Sequence, residues 1–277
     1  MKKMERKSIL CPNCRKLINT DEPTCPFCGM SKPASQWKAV TSRLMSPSSG
    51  NIIQYILYLN IFIYVLSLLL SMSQIGMSSN PFRFLSPSIG ALQLLGASGT
   101  IPIDYYHRWW APISANYLHG GILHIFFNMM ALRQLGPTVI QEYGANRMII
   151  IYTLGGVIGF LFSYMAGTPF TLGASAAVCS LIGSILYYGK SRGGAYGQAL
   201  YKEVFGWVIG LGIFGFVVPG IDNWAHGGGI LGGILIGYIL GYREKKRDSL
   251  SHSILAAACI VITLISLSLG IITRVFL

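Results

Sequence analysis

The sequence predicts an all-α polytopic membrane protein, with seven transmembrane helices behind a small cysteine-bearing module. Three observations carry that prediction. Of the 277 residues, 52% are hydrophobic and only 11% are charged, whereas about a quarter are charged in a soluble domain. Seven apolar runs approach the length of about 20 residues that crosses roughly 30 Å of hydrocarbon at 1.5 Å per residue. The basic residues, 21 Lys and Arg against 9 Asp and Glu, gather between those runs. This balance excludes a disordered chain, a disulfide-rich secreted module and an ordinary cytosolic enzyme. Juxtamembrane basic residues account for the net charge of +12, so no nucleic-acid partner is expected.

The runs are 52–72, 120–135, 148–166, 172–188, 204–218, 224–242 and 253–273. Gly167, Thr168 and Pro169 divide the third from the fourth, and Pro219-Gly220 ends the fifth, as helix-breaking residues should. The first fifty residues are polar, so no signal peptide is expected. With the N-terminus in the cytosol, the inside set holds Lys2, Lys3, Arg6, Lys7, Arg15, Lys16, Lys32, Lys38, Arg43, Arg133, Arg147, Lys190, Arg192, Lys202, Arg243, Lys245, Lys246 and Arg247. That is 18 of the 21, leaving Arg83, Arg108 and Arg274 outside. The positive-inside rule therefore predicts a multi-pass protein of the cell membrane with a cytosolic N-terminus and an external C-terminus. The long outer connection, 73–118, contains Phe82, Phe84, Leu85, Tyr105, Tyr106, Trp109 and Trp110. It reads either as short helices in the interface or simply as an aromatic belt.

Ahead of the spans, Cys11-Pro-Asn-Cys14 is followed ten residues later by Cys25-Pro-Phe-Cys28. Two such knuckles can deliver four thiolates to one tetrahedral Zn2+. Two disulfides or four free thiols are the alternatives, and a reducing cytosol disfavours the first. Four cysteine ligands leave no open position, so the metal would be structural and catalysis would need no cofactor. The predicted organisation is a zinc ribbon over 1–32, a linker over 33–50, a membrane core over 51–242, and a basic loop with the seventh helix over 243–277. A ribbon in this place has a possible cytosolic partner, which the sequence does not identify.

Polar groups inside spans are costly and therefore candidates for function. His124 and Asn128 lie in the second run, Ser175 in the fourth and His226 in the sixth, with His119 at the mouth of the second. A lone serine in a span ordinarily bonds a carbonyl one turn back or joins two helices. Here, however, the three runs point the same way, and each polar group lies near the outer end. Counted from Leu172, Ser175 is about 5 Å deep by helical rise, a depth similar to that of His226. His124 and Asn128, four apart, share a helical face and can both donate hydrogen bonds, as a developing oxyanion requires. His119 falls off that face and is expected to act from behind it. Gly173 precedes the serine, and the Gly229/Gly233 pair permits the close helix approach that would bring Ser175 and His226 together. Asp222 could approach His226 but is more simply an N-cap.

These residues together resemble the rhomboid family of intramembrane serine proteases, over about residues 51–242. His119-Gly-Gly-Ile-Leu-His124-Ile-Phe-Phe-Asn128 resembles the family's second-span motif, Gly173-Ala174-Ser175 its nucleophile motif, and Asn223-Trp224-Ala225-His226 its general-base motif. Arg108-Trp109-Trp110 and Glu142-Tyr143-Gly144 extend the likeness. The resemblance implies a six-helix core, here with a seventh helix added, and a Ser175/His226 dyad. It also implies that His124 and Asn128 help the Ser175 amide to hold the oxyanion, and that the substrates are transmembrane segments in the lipid bilayer, cut near the outer leaflet. Two positions depart from the family: Ala176 stands where it usually has Gly, and Cys179 where it usually has an aromatic residue. The alternative is a catalytically inactive rhomboid-like protein that binds or escorts membrane clients. A transporter is disfavoured, since neither acidic residues nor inverted repeats are detectable in the spans.

Overall fold

The computed structural model describes residues 8–11, 16–27, 29–35, 49–71, 75–77, 84–246 and 248–276. Two compact units divide the chain, 1–49 and 50–277.

In the first unit, strands β1 (Ser8–Leu10) and β2 (Leu17–Asn19) pair antiparallel, with Ile9 opposite Ile18 and Leu10 opposite Leu17. Side chains alternate across a strand, and the inner face sets Ile18 and Ile9 against Cys11, Cys25 and Met30. The two described cysteines begin matching loops. Cys11 N–H donates to Lys16 O at 2.9 Å, and Cys25 N–H donates to Met30 O at 2.8 Å. Cys14 and Cys28 lie outside the described residues.

Among the described residues of the second unit are seven long helices: α1 (Ser49–Leu69), α2 (Ile122–Tyr143), α3 (Ala145–Met165), α4 (Ser175–Arg192), α5 (Gly194–Val217), α6 (Asn223–Leu240) and α7 (Leu250–Phe276). Four contain windows long and apolar enough to cross a membrane: Ile52–Leu69, Ala145–Met165, Gly194–Val217 and Leu250–Gly270. The other three, α2, α4 and α6, are diluted by glycine and by the polar residues singled out above. Helices suit an apolar solvent because they satisfy every backbone group within the segment.

Several boundaries differ from the sequence-based expectation. Helix α2 continues eight residues beyond the expected end at 135, which places Arg133 well inside the helix rather than at its end. Its side chain is exposed, and its long stem can carry the charge away from the apolar middle. Helix α5 starts ten residues earlier than expected, at Gly194. The most consequential difference is that α4 starts at Ser175 and not at Leu172. Thr171 pairs with Ser98 in an isolated β-bridge, and Gly173 has φ 133°, a conformation that only glycine adopts easily. The helix cannot begin until this extended segment has ended.

Helix α6 packs against α3 and α4, while α7 packs against α3 and the short helix Ala111–Ser114. Glycine makes the α3/α4/α6 contact close. A β-carbon on Gly233 would run into the Ser180 carbonyl oxygen, one on Gly229 would strike that of Ala176, and one on Gly183 would strike that of Ile230. The fully buried Arg147 guanidinium secures the turn that launches α7. It donates to Gly241 O at 3.0 Å, Lys246 O at 2.7 Å and His252 Nδ1 at 3.3 Å, and it pairs with Asp248 at 3.4 Å.

The connection between α1 and α2 is only partly helical. It contains an antiparallel pair, Gly76–Met77 with Phe84–Ser86, the short helix Ile89–Leu94, a π-turn at Ile101–Tyr105 and the short helix Ala111–Ser114. Tyr105, Tyr106 and Trp109 are exposed, whereas Phe82 lies outside the described residues. Arg108 donates to Gln93 O and lies over the Tyr106 and Trp110 rings.

Candidate active site

The segment ahead of α4 is held by backbone bonds from the connection between α1 and α2. Thr100 N–H donates to Thr168 O at 2.9 Å and Ile101 N–H to Pro169 O at 3.1 Å, Ser98 and Thr171 exchange bonds of 2.9 and 2.8 Å, and Gly173 N–H donates to Ala115 O at 2.9 Å. Ser175 is thereby fixed as the first residue of a helix. Ala174 gives that helix no side-chain cap, so the N–H groups of its first turn have no intrahelical acceptor. With the helix dipole they form a place where negative charge is favoured.

His124 stands over this terminus. Its Nδ1 accepts from Gly120 N–H at 3.3 Å, which leaves Nε2 as the proton-bearing nitrogen of the neutral ring. A β-carbon on Gly173 would lie 2.6 Å from His124 Nε2 and 3.4 Å from Ser175 Oγ. The imidazole and the hydroxyl therefore face the same small space, which a larger residue at 173 would close. Asn128 Nδ2 donates to His124 O at 2.9 Å. His119 is fully buried, and its ring meets that of His124 edge-on with centroids 5.1 Å apart. It supports His124 and does not line the cavity.

That cavity, about 940 Å³, is lined by His124, Asn128, Ser175 and His226, with Cys179, Trp207 and Phe214 among the apolar walls. His226 comes from the first turn of α6. Asp222 is the N-cap of that helix: its Oδ1 accepts from Ala225 N–H at 3.0 Å, and its Oδ2 accepts from Ser163 Oγ on α3. Both oxygens are thus engaged away from His226, whose Nδ1 has no hydrogen-bond partner. Among the described residues, no hydrogen bond joins Ser175 to His226. Asn223 Nδ2 donates to Gly215 O at 3.0 Å and ties the start of α6 to the end of α5.

The two unusual positions are accommodated. Ala176 is buried with Ala115, Phe160 and Ala225, and it stands opposite Gly159, whose added β-carbon would be 3.0 Å from the Ala176 methyl. Cys179 is buried one turn below Ser175 and faces Gly229. Sequence reasoning missed the Gly120 bond to His124, the Ser163 bond to Asp222 and the pinning of 168–173. Each joins residues through backbone or non-adjacent contacts, so no motif announces it.

The fold and this cavity define a class: a helical multi-pass membrane protein with serine, histidine and asparagine gathered at a glycine-lined helix terminus. Residues 106–243 match the rhomboid domain, and the chain is a rhomboid-family membrane protein. It is 34% identical over 126 residues to the rhomboid protease GluP of Bacillus subtilis, covering 45% of this chain and 25% of that protein. It is 35% identical over 153 residues to RHOMBOID-like protein 5 of Arabidopsis thaliana, covering 53% and 48%. Inactive RHOMBOID-like protein 8 of the same plant is 30% identical over 160 residues, covering 56% and 44%. The matches therefore span from a quarter to about half of the length of these relatives. They include both a protease and an inactive protein.

Proposed function

We propose that this protein is an intramembrane serine protease that cuts transmembrane segments of other membrane proteins near the outer leaflet. The observation that carries the reading is Ser175 at the start of α4, sharing one small space with the proton-bearing nitrogen of His124. His226 and Asn128 line the same cavity. In this reading Ser175 Oγ attacks the scissile carbonyl carbon while His226 takes the hydroxyl proton. The oxyanion is held by the Ser175 N–H, His124 Nε2–H and, after a rotamer change, Asn128 Nδ2. His226 returns the proton to the leaving amine, and water then hydrolyses the acyl-enzyme. The Ser175–His226 bond tightens when substrate displaces solvent, since such bonds are commonly long in the free enzyme. A helical peptide bond is shielded by its own hydrogen bonds, so substrates carry Gly, Ser or Pro at the cut.

The test is cleavage of a library of transmembrane peptides by purified protein, with the cuts mapped by mass. Ser175→Ala is expected to abolish cleavage while leaving thermal stability unchanged. Cleavage by that variant at the wild-type rate and site overturns the mechanism. The similarity to an inactive relative and the missing Ser175–His226 bond favour one second reading, a client-binding protein. Wild-type protein that retains transmembrane peptides without cutting them would establish it.

The N-terminal unit is proposed to be a zinc ribbon on the cytosolic side. Cys11 and Cys25 are both buried, and they open loops closed by the same bond to the fifth residue onward. This fits a pair of metal-binding knuckles, with Cys14 and Cys28 completing the four-thiolate set. The ion would crosslink the knuckles and take no part in peptide hydrolysis. Cys14→Ser is expected to release one equivalent of zinc and unfold residues 8–31, with core cleavage largely retained. Metal content and amide exchange measure both effects.

A further inference from the structure

Among the described residues, the N-terminal unit has an exposed apolar outer face. Ile9 and Ile18 turn inward onto the cysteines, so their neighbours Leu10 and Leu17 turn outward as a cross-strand pair. Leu10 is 56% exposed and Leu17 64%, large values for leucines in a unit with so small a core. Phe27 is 54% exposed, and the Lys16 ammonium, next in the chain to Leu17, lies 4.7 Å from its ring centroid. The outer surface thus combines apolar side chains with a cation. Residues 1–49 carry nine Lys and Arg against Glu5, Asp21 and Glu22, so the charge of the whole unit is strongly positive.

We propose that this face docks on the anionic headgroups of the bilayer that holds the core. Apolar side chains set among basic ones bind a membrane surface by inserting the former at the boundary while the latter meet lipid phosphates. The positive charge favours that occupant over an uncharged protein groove. Chain connectivity also favours it. The 13 residues 36–48 extend to about 45 Å at most, so the unit faces lipid at the high effective concentration of a tethered ligand. The proposal does not depend on proteolysis or on which side of the membrane the N-terminus lies.

The experiment is amide exchange by mass spectrometry on the full-length protein in nanodiscs of phosphatidylcholine, with or without phosphatidylglycerol. Peptides covering 8–19 are expected to exchange at least about fivefold more slowly in the anionic discs, the effect of roughly one engaged basic side chain. That protection should disappear at about 1 M salt, where the screening length falls to about 3 Å. Leu10→Ser/Leu17→Ser is expected to lose it while exchanging like wild type in detergent, which shows that the hairpin is intact. Lys16→Gln should reduce it with the same control. Equal exchange in the two lipids overturns the proposal. So does protection that appears only when whole-cell extract is added, which would assign the face to a protein partner.

Discussion

Helices α5 and α6 are neighbours in sequence and both are rich in glycine, yet their glycines do opposite things. In α6, Gly228, Gly229, Gly232 and Gly233 each stand where a β-carbon would meet a side chain or backbone of α3 or α4. In α5, Gly206, Gly210 and Gly212 have nothing within 4 Å of that point, and only 6% of the helix's apolar window is buried. The first set lets three helix backbones approach closely, and so brings His226 to the cavity of Ser175. The second set lies on an open face of α5, while Val204, Trp207, Val208 and Leu211 on another face hold the helix to the core and Gly197 and Gly215 fit closely against Gly189 and Asn223. Glycine content alone therefore does not reveal which helix builds a site. The decisive quantity is what lies opposite.

Three substitutions probe this contrast. The largest effect is expected from Gly233→Leu, which drives a side chain into the Ser180 backbone. Overpacking costs about 1–3 kcal/mol where neighbours can shift, and a helix backbone shifts less than a side chain. Loss of the folded, monodisperse species in detergent should accompany loss of cleavage. A stable variant would show that α4 and α6 are less tightly joined than the Gly233–Ser180 contact implies. Next comes Asn128→Ala, which removes a donor at the cavity but no packing partner of α6. The expected outcome is a rate lower by about 10² to 10³ with an unchanged melting temperature, separating the chemistry of this half of the molecule from its packing. The smallest effect belongs to Gly210→Ala on α5. It should be neutral or stabilising by up to about 1 kcal/mol, because helix propensity rises and no contact is lost. Destabilisation by more than that in a thermal melt would mean that the open face of α5 has a partner in the functional state.

Much of this architecture was legible in the chain itself. Apolar runs and the breakers Gly167, Pro169 and Pro219 placed the long helices of the described residues with ends off by up to ten residues, because the cost of placing polar groups in hydrocarbon is a property of composition. The polar residues singled out by that cost, His124, Asn128, Ser175 and His226, line one cavity. The depth argument for Ser175 rested on a helix starting at Leu172 and does not survive. The β-bridge of Ser98 with Thr171 and the left-handed Gly173 move the helix start to the serine itself. Asp222, read as a cap, is one, but its second oxygen receives Ser163 from α3, a pairing that 59 residues of separation hide.

What the sequence by itself determined is where the chain is apolar, where it is charged, and which polar groups are costly enough to need a reason. These are sums over neighbouring residues, and no knowledge of folding is required to form them. Only the tertiary structure decided that Ser175 is the first residue of its helix and that the His124 ring fills the space Gly173 leaves free. It alone also showed that Gly228, Gly229, Gly232 and Gly233 of α6 are packed while Gly206, Gly210 and Gly212 of α5 are open, and that a buried Arg147 holds the turn to α7. Each of these depends on which surface meets which, and close packing between distant segments leaves no periodic trace in the residues that make it.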